Sequence, residues 1–204
     1  MARVIILYGS QTGNAEEIAR SLHDIISREN GLDASIYNMD QYIQQAKTPE
    51  VMAEYTAAVL VCSTTGQADV PDNARRFVRS LRNHKVKLPN LNYCVLGLGD
   101  TNYDSFNAAA IKIDTYLQKL DANRFWPTGL ADDGTGLEEV VEPFKAGIVP
   151  AIRTLLEPSE VSPRGSANTT AAAVSAPDSR SKVAVTVVYG SQTGNSEEIA
   201  KVLG

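Results

Sequence analysis

Three short apolar runs constrain the fold of this 204-residue chain more than any other feature. RVIILY (3–8), AAVLVCS (57–63) and NYCVLGL (92–98) are apolar at nearly every position rather than at alternate positions. A strand has this composition when both faces of its sheet are covered by other elements. The three runs therefore predict the buried central strands of a parallel sheet.

Helical patterns separate the strand-like runs. Apolar residues recur at helical spacing in four segments, which are 15–29, the stretch after Pro71, 106–120 and 136–156. DASIYN (33–38) and RFWP (124–127) complete five predicted strands, and Pro143 predicts a first turn or a kink in the last helix. Strict alternation of strands and helices predicts an α/β doubly wound, five-stranded parallel sheet with helices on both faces.

The composition changes at Glu157. Residues 157–182 are mostly Ser, Ala, Pro, Thr and charged residues without an apolar period, which predicts a flexible linker. YGSQTGNSEEIA, from Tyr189, then nearly copies YGSQTGNAEEIA, from Tyr8. Residues 183–204 are too few to bury a core of their own. We therefore expect a first domain in 1–156, a linker, and the truncated start of a second domain of the same kind.

Charge and hydropathy exclude several classes of protein. The net charge of −5 argues against a nucleic-acid partner, which favours a basic surface. No apolar run reaches the ~18 residues of a membrane span, and the N-terminus lacks the pattern of a signal peptide. We therefore expect a cytoplasmic protein. Cys62 and Cys94 lie inside apolar runs and are predicted to be buried free thiols.

The loop GSQTGN (9–14, loop one) joins the first strand to an amphipathic helix. Gly9 and Gly13 permit tight turns, and the start of the helix offers unpaired backbone N–H groups. Side-chain donors come from Ser10, Gln11, Thr12 and Asn14. This pattern indicates a phosphate site, although a polar turn that caps the helix is the alternative for the loop alone. It is neither a Walker loop, since no Lys follows the second Gly, nor a GxGxxG fingerprint.

Three further loops are predicted at the same edge of the sheet, because the carboxyl ends of parallel strands meet there. They are STTGQADVPDNA (63–74, loop three), GLGDTNYDSFN (97–107, loop four) and GLADDGTGLEE (129–139, loop five). None of the four loops contains Lys or Arg. Loops three to five carry an acidic rim of Asp69, Asp72, Asp100, Asp104, Asp132, Asp133, Glu138 and Glu139. Neutral donors must therefore hold any phosphate, which favours a single phosphate monoester over a triphosphate with Mg²⁺.

Together, the four loops resemble those of the FMN-binding flavodoxin domain of the diflavin reductase family. Within that family they are similar to the methionine synthase reductases and to the microsomal NADPH–haemoprotein reductases. The resemblance covers about residues 3–156, with four motifs in the same order and spacing. It implies a flavodoxin-like sheet with strand order 2-1-3-4-5 and FMN as the cofactor.

The resemblance also implies a role for each loop. The residues implied to hold the FMN phosphate are Ser10, Gln11, Thr12, Gly13, Asn14 and Ala15. Those implied to border one side of the flavin ring are Ser63, Thr64, Thr65 and Gly66. Those implied on the other side are Leu98, Gly99, Asp100, Tyr103, Phe106 and Asn107, with Tyr103 stacked on the ring. Asp133 is implied to be an acid near the flavin. Trp126 is expected to pack away from the flavin. Phe106, although it belongs to the loop-four motif, is expected to pack beneath that loop.

Thr65 departs from the pattern of the microsomal reductases, which have a second aromatic residue in loop three. Stacking on one side alone should weaken flavin binding by about 0.5–1.5 kcal/mol. The larger departure is that a second flavodoxin-like segment follows the first, where the family places its FAD/NADPH module.

The sequence contains no nucleophile–His–acid set and no metal-ligand spacing, which fits a domain whose chemistry belongs to its cofactor. We expect electrons to come from an FAD/NADPH reductase module, in cis or in trans, and to pass singly to a redox protein. The acidic rim is expected to attract an acceptor with a basic face and to lower the potential of the second electron. Two alternatives stay open: an FMN-dependent quinone-type oxidoreductase, and a flavin-free interaction module of the same fold.

Overall fold

A computed structural model of the protein describes residues 1–66 and 68–157. The strands are β1 (Ala2–Gly9), β2 (Leu32–Asn38), β3 (Ala57–Ser63), β4 (Asn92–Gly99), β5 (Asn123–Arg124) and β6 (Gly129–Asp132). The α-helices are α1 (Asn14–Ser27), α2 (Met39–Ala46), α3 (Arg75–Asn83), α4 (Ala108–Lys119) and α5 (Glu138–Thr154). Short 3₁₀ helices span Pro49–Glu54 and Asp72–Ala74. Apart from Glu157, the predicted linker and second copy lie outside the described residues.

All strand pairs in the sheet are parallel, in the order β2-β1-β3-β4-β5, with β6 also paired to β4. This confirms the predicted doubly wound sheet and its strand order. The order reverses between β1 and β3: the chain adds β2 on one side of β1, and adds β3, β4 and β5 on the other side. In sheets of this kind the crevice beyond the carboxyl ends at such a switch point is where ligands bind.

The sheet has a separate core on each face. Val4 and Ile6 of β1 pack on the α1 and α5 side, whereas Ile5 and Leu7 pack on the side of α2, α3 and α4. Successive side chains of a strand point to opposite faces, so a strand covered on both faces must be apolar at every position. The continuous apolar runs of the sequence have this cause, and all four of these side chains are fully buried.

The predicted fifth strand at 124–127 is wrong in its extent. Two short segments, β5 and β6, share the place beside β4, and Trp126 and Pro127 lie between them. Pro127 has no N–H to donate to a strand ladder. Trp126 instead packs beside Gly147 of α5, where an added Cβ would overlap the indole ring. Residues 129–132, predicted as part of loop five, are therefore strand.

α5 is one helix that contains both Pro143 and Pro150, so Pro143 lies beyond its first turn, and a kink there stays a prediction. The sequence patterns further missed α2, whose first turn is capped by the Asn38 side chain accepting from the N–H of Gln41 at 2.8 Å. Within the described ranges, no helix is both long and apolar enough to cross a membrane.

Cys62 and Cys94 are fully buried and free, as predicted. Burial raises the pKa of the Cys62 thiol to about 12 and that of Cys94 well above its ordinary value. Thiolate is the reactive form, so neither sulfur should react in the native protein at mildly alkaline pH.

We expect iodoacetamide to modify neither Cys62 nor Cys94 of the folded chain within minutes, and to modify both in denaturant. Mass spectrometry measures the modification. Labelling of the folded chain at the unfolded rate would contradict this.

Candidate cofactor-binding site

A cavity of about 390 Å³ opens at the carboxyl edge of the sheet. This volume lies within the range of small-molecule sites in proteins, roughly 300–1,000 Å³. The lining comes from all four predicted loops and consists of Gln11, Thr12, Asn14, Ser63, Thr64, Thr65, Gly66, Leu98, Gly99, Asp100, Tyr103, Ser105, Asp133 and Leu137. Twelve of these fourteen residues are among the seventeen predicted ligand contacts, so the fold brings most of the predicted set together.

The start of α1 meets this cavity without a side-chain cap. Gly13 is the N-cap residue, with φ at 107°, a left-handed conformation that glycine adopts without strain. Its N–H donates to Ser10 Oγ at 3.0 Å. Among the described residues, the backbone N–H groups of Gln11, Thr12 and Asn14 have no hydrogen-bond partner. Helix starts with free N–H groups bind anions, and this one suits a phosphate.

Loop one is braced by Asp72 and Asn73 of loop three, neither of which was predicted to contact the cofactor. The Ser10 N–H donates to Asn73 Oδ1 at 2.9 Å, and the Asp72 N–H donates to Gln11 Oε1 at 3.1 Å. Gly9 makes this approach possible, because a Cβ there would lie 2.7 Å from the Cβ of Ala74. The brace fixes the loop whose free N–H groups line the cavity.

Loops three, four and five are joined by backbone hydrogen bonds. The Thr64 N–H donates to the Leu98 carbonyl at 2.8 Å, and the Asp133 N–H donates to the Gly99 carbonyl at 2.8 Å. Thr64 Oγ1 also accepts the N–H of Ala109 at 3.2 Å, near the start of α4. These hydrogen bonds join the two loops implied to flank a flavin ring to each other, and join them to loop five and to the start of α4.

Asp132 fastens loop five to loop four. Its carboxylate accepts from Thr101 N at 2.9 Å, Thr101 Oγ1 at 2.7 Å and Gly134 N at 2.9 Å. These hydrogen bonds, chiefly from Thr101, lower the pKa of Asp132 below its ordinary value. The carboxylate is therefore ionised at neutral pH, and the fastening is lost only as pH falls through that lowered pKa.

Asn107 is fully buried and lies beneath loop four rather than in the cavity lining. It adopts a left-handed φ of 52°, and its Nδ2 donates to the Ala131 carbonyl at 3.0 Å. Gly99 must lack a side chain, because a Cβ there would lie 2.6 Å from the Asn107 backbone nitrogen. The structure therefore gives Asn107 a supporting position.

Five of the predicted contacts do not line the cavity. The predicted contacts absent from the lining are Ser10, Gly13, Ala15, Phe106 and Asn107. Ser105 and Leu137 were not among the predicted contacts, although they lie within loops four and five, which were placed at this edge of the sheet. Tyr103 lines the cavity with 61% of its surface exposed, and its stacking on a flavin stays a prediction.

None of the described residues that line the cavity carries a positive charge. Asp100 and Asp133 are its only ionisable acids, and no Lys, Arg or His is in the lining. In the part of the chain that the structure describes, no cluster of His, Cys, Asp and Glu could hold a metal ion. A phosphate here would depend on neutral donors, as the loop compositions predicted.

The sequence model of the flavodoxin family matches residues 6–147. The chain belongs to the flavodoxin family. A mutant flavodoxin from Pseudomonas aeruginosa superposes with a TM-score of 0.62 at 27% identity, covering 74% of this chain and 99% of that one. The described domain of this flavodoxin family member therefore corresponds to a whole flavodoxin, which agrees with the predicted family.

Two curated relatives extend the likeness to the diflavin reductases. Methionine synthase reductase of Homo sapiens is 38% identical over 156 residues, which is 75% of this chain and 22% of that protein. NADPH-dependent diflavin oxidoreductase 1 of Schizosaccharomyces pombe is 39% identical over 137 residues, which is 65% of this chain and 22% of that protein. The chain thus spans about a fifth of the length of these relatives.

FMN is the cofactor of this flavodoxin domain, and the residues present fit it. The uncapped start of α1 offers unpaired N–H groups to a phosphate. The walls formed by Thr64 to Gly66 and by Leu98 to Asp100 face the same cavity, which is 390 Å³ in volume. The absence of a nearby cation fits a monoester that neutral donors hold. The protein is accordingly a flavoprotein of an oxidoreductase family.

Proposed function

We propose that the described domain transfers electrons singly, from an NADPH/FAD reductase module to a redox protein with a basic face. When bound, FMN supplies the one-electron chemistry. The chain's own residues bind and orient it: loop one holds the phosphate, and loops three and four flank the ring. The observation that carries this proposal is the uncapped α1 start, which opens on a cavity without Lys or Arg.

The acidic rim supports the choice of acceptor. Asp133 lines the cavity, Asp104 lies in loop four, and Glu138 and Glu139 start α5; all four are exposed, and none of them forms an ion pair with a described residue. A negative surface around a redox cofactor speeds encounter with a positive partner and slows encounter with a negative one. Solvent screens such charges over about 8–10 Å at physiological salt, so their effect should fade as salt rises.

Reconstitution with FMN tests the proposal. We expect the full chain to bind FMN and, when titrated anaerobically with dithionite, to take up electrons in two resolved one-electron stages. NADPH alone should not reduce it, whereas NADPH with a separate FAD-containing reductase should. A protein that does not bind FMN would favour the alternative of a flavin-free interaction module. Direct oxidation of NADPH in two-electron steps with a quinone would favour the alternative of a quinone-type oxidoreductase.

The acidic rim is tested by electron transfer to cytochrome c, a basic haem protein. We expect the stopped-flow rate from the reduced chain to fall steeply as ionic strength rises. Asp104→Asn should slow the low-salt rate by about twofold, in line with the small effect of one exposed charge. Asp33→Asn removes an exposed acid on β2 and is the matched control, with an unchanged rate. A rate that is independent of salt would refute the steering.

A further inference from the structure

Besides the acidic rim, the described part of the chain carries a strongly cationic surface. Six of residues 75–87 are Lys or Arg, and none is Asp or Glu. α3 contributes Arg75, Arg79 and Arg82 at spacing i, i+4, i+7, which places them along one face of the helix. In a chain with a net charge of −5, this surface has the opposite sign to the molecule as a whole.

The three arginines line an open groove of about 330 Å³ between α3 and α4, here called the α3–α4 groove. The other lining residues are Ala68, Asp69, Val70, Val78, Lys112 and Tyr116. Asp69 is the only acid among them. The groove therefore combines four cations with an apolar wall and one aromatic ring, which is a surface suited to carboxylates carried on a polypeptide.

Two of the groove arginines lack a counter-charge. Arg75 pairs with Asp72 at 2.8 Å, whereas Arg79 and Arg82 form no ion pair with any residue in the described ranges. Like charges one helical turn apart repel each other and destabilise a helix slightly. An acidic partner would remove this repulsion, since guanidinium groups bind carboxylates through paired N–H donors.

The groove adjoins the cofactor cavity. Thr65 and Gly66 line the cavity, and Ala68 and Asp69 line the groove. The Thr65 N–H donates to the Asp69 carbonyl at 3.0 Å, and the Asp69 N–H donates to the Thr65 carbonyl at 2.8 Å. From the groove side, Lys112 Nζ donates to the Ala68 carbonyl at 2.8 Å. A molecule in the groove would thus lie one backbone turn from the wall implied to flank the flavin.

We propose that the α3–α4 groove docks an acidic surface of a second electron-transfer partner. This inference rests on the proposed function, which requires both a donor and an acceptor of electrons. The acidic rim suits a basic partner and the groove suits an acidic one, so charge alone can direct the two partners to different approaches to one cofactor. The net charge of −5 and the nearby rim disfavour a nucleic acid, whose phosphates would extend beyond the groove.

The test uses the FMN-loaded full chain and a fluorescein-labelled polyglutamate peptide, with binding followed by anisotropy at low ionic strength. Arg79→Glu is expected to weaken the peptide by about tenfold. Arg28→Glu is the matched control: Arg28 is also exposed and forms no ion pair within the described residues, and the charge change is the same. Its affinity for the peptide should stay within twofold of the original.

Several results would overturn the proposal. If the peptide failed to bind, or if Arg28→Glu weakened it as much as Arg79→Glu does, either result would contradict the groove. Tighter binding of single-stranded DNA than of the peptide would also contradict it. So would pyrophosphate that displaces the peptide and binds at Arg79 more tightly than the peptide does. FMN fluorescence titrations of the same variants separate this proposal from the function on which it rests. Intact FMN binding with lost peptide binding supports the groove, whereas a chain that does not bind FMN refutes the proposed function whatever the peptide does.

Discussion

Thr12→Asp is expected to weaken FMN binding by about 100-fold or more, equivalent to about 2.8 kcal/mol. Thr12 lines the cavity beside the uncapped start of α1, and no Lys or Arg in the lining could offset a new carboxylate. Two negative groups near each other at a protein surface repel by several kcal/mol, roughly 4 kcal/mol at 4 Å. The measurement is a titration of the apo chain that follows quenching of FMN fluorescence.

Two controls isolate the charge from the change of shape. Thr12→Asn introduces a side chain of nearly the same size as Asp without the charge, and its FMN affinity should stay within about tenfold of the original. Riboflavin lacks the phosphate, so its affinity should be nearly equal in Thr12→Asp and Thr12→Asn. If Thr12→Asp and Thr12→Asn bound FMN equally well, loop one would not hold the phosphate.

The sequence predicted the parts of this domain that depend on local pattern. β1, β3 and β4 were evident because burial on both faces makes every position apolar, and the loops that follow them were placed by the geometry of parallel strands. The fifth strand was not evident from the sequence, because β5 and β6 together contribute only six residues, on either side of Trp126 and Pro127. Pieces so short are decided by pairing with β4 and by packing on α5, which no local pattern contains.

The cavity lining was largely predictable, whereas its supports were not. Asp132 and Thr101 lie in different loops, and their hydrogen bonds appear only once β4 and β6 are paired. Asn107 had a predicted flavin contact, but the structure places its side chain beneath loop four. A motif thus identifies the residues that face a ligand more readily than those that hold the motif in place.

Asp40 of α2 supports loop one indirectly, through α3 and Asn73. Asp40 of α2 accepts from the N–H groups of Arg76 and Phe77 at 2.8 and 3.0 Å, which caps the start of α3 from outside. The start of α3 follows directly on Asn73, which accepts the Ser10 N–H. A helix that the sequence patterns missed therefore helps to position the loop that they identified most clearly.

Asn73→Ala is accordingly expected to weaken FMN by about 10- to 30-fold, since a lost hydrogen bond that leaves a donor unpaired costs roughly 1–3 kcal/mol. Riboflavin affinity should stay within about twofold, because Asn73 contacts loop one and is absent from the cavity lining. Asn83→Ala is the matched control, at the exposed end of α3. A purely structural role would weaken both flavins together and lower the melting temperature of the apo chain. Equal losses for FMN and riboflavin would show that Asn73 stabilises the fold without positioning the phosphate loop.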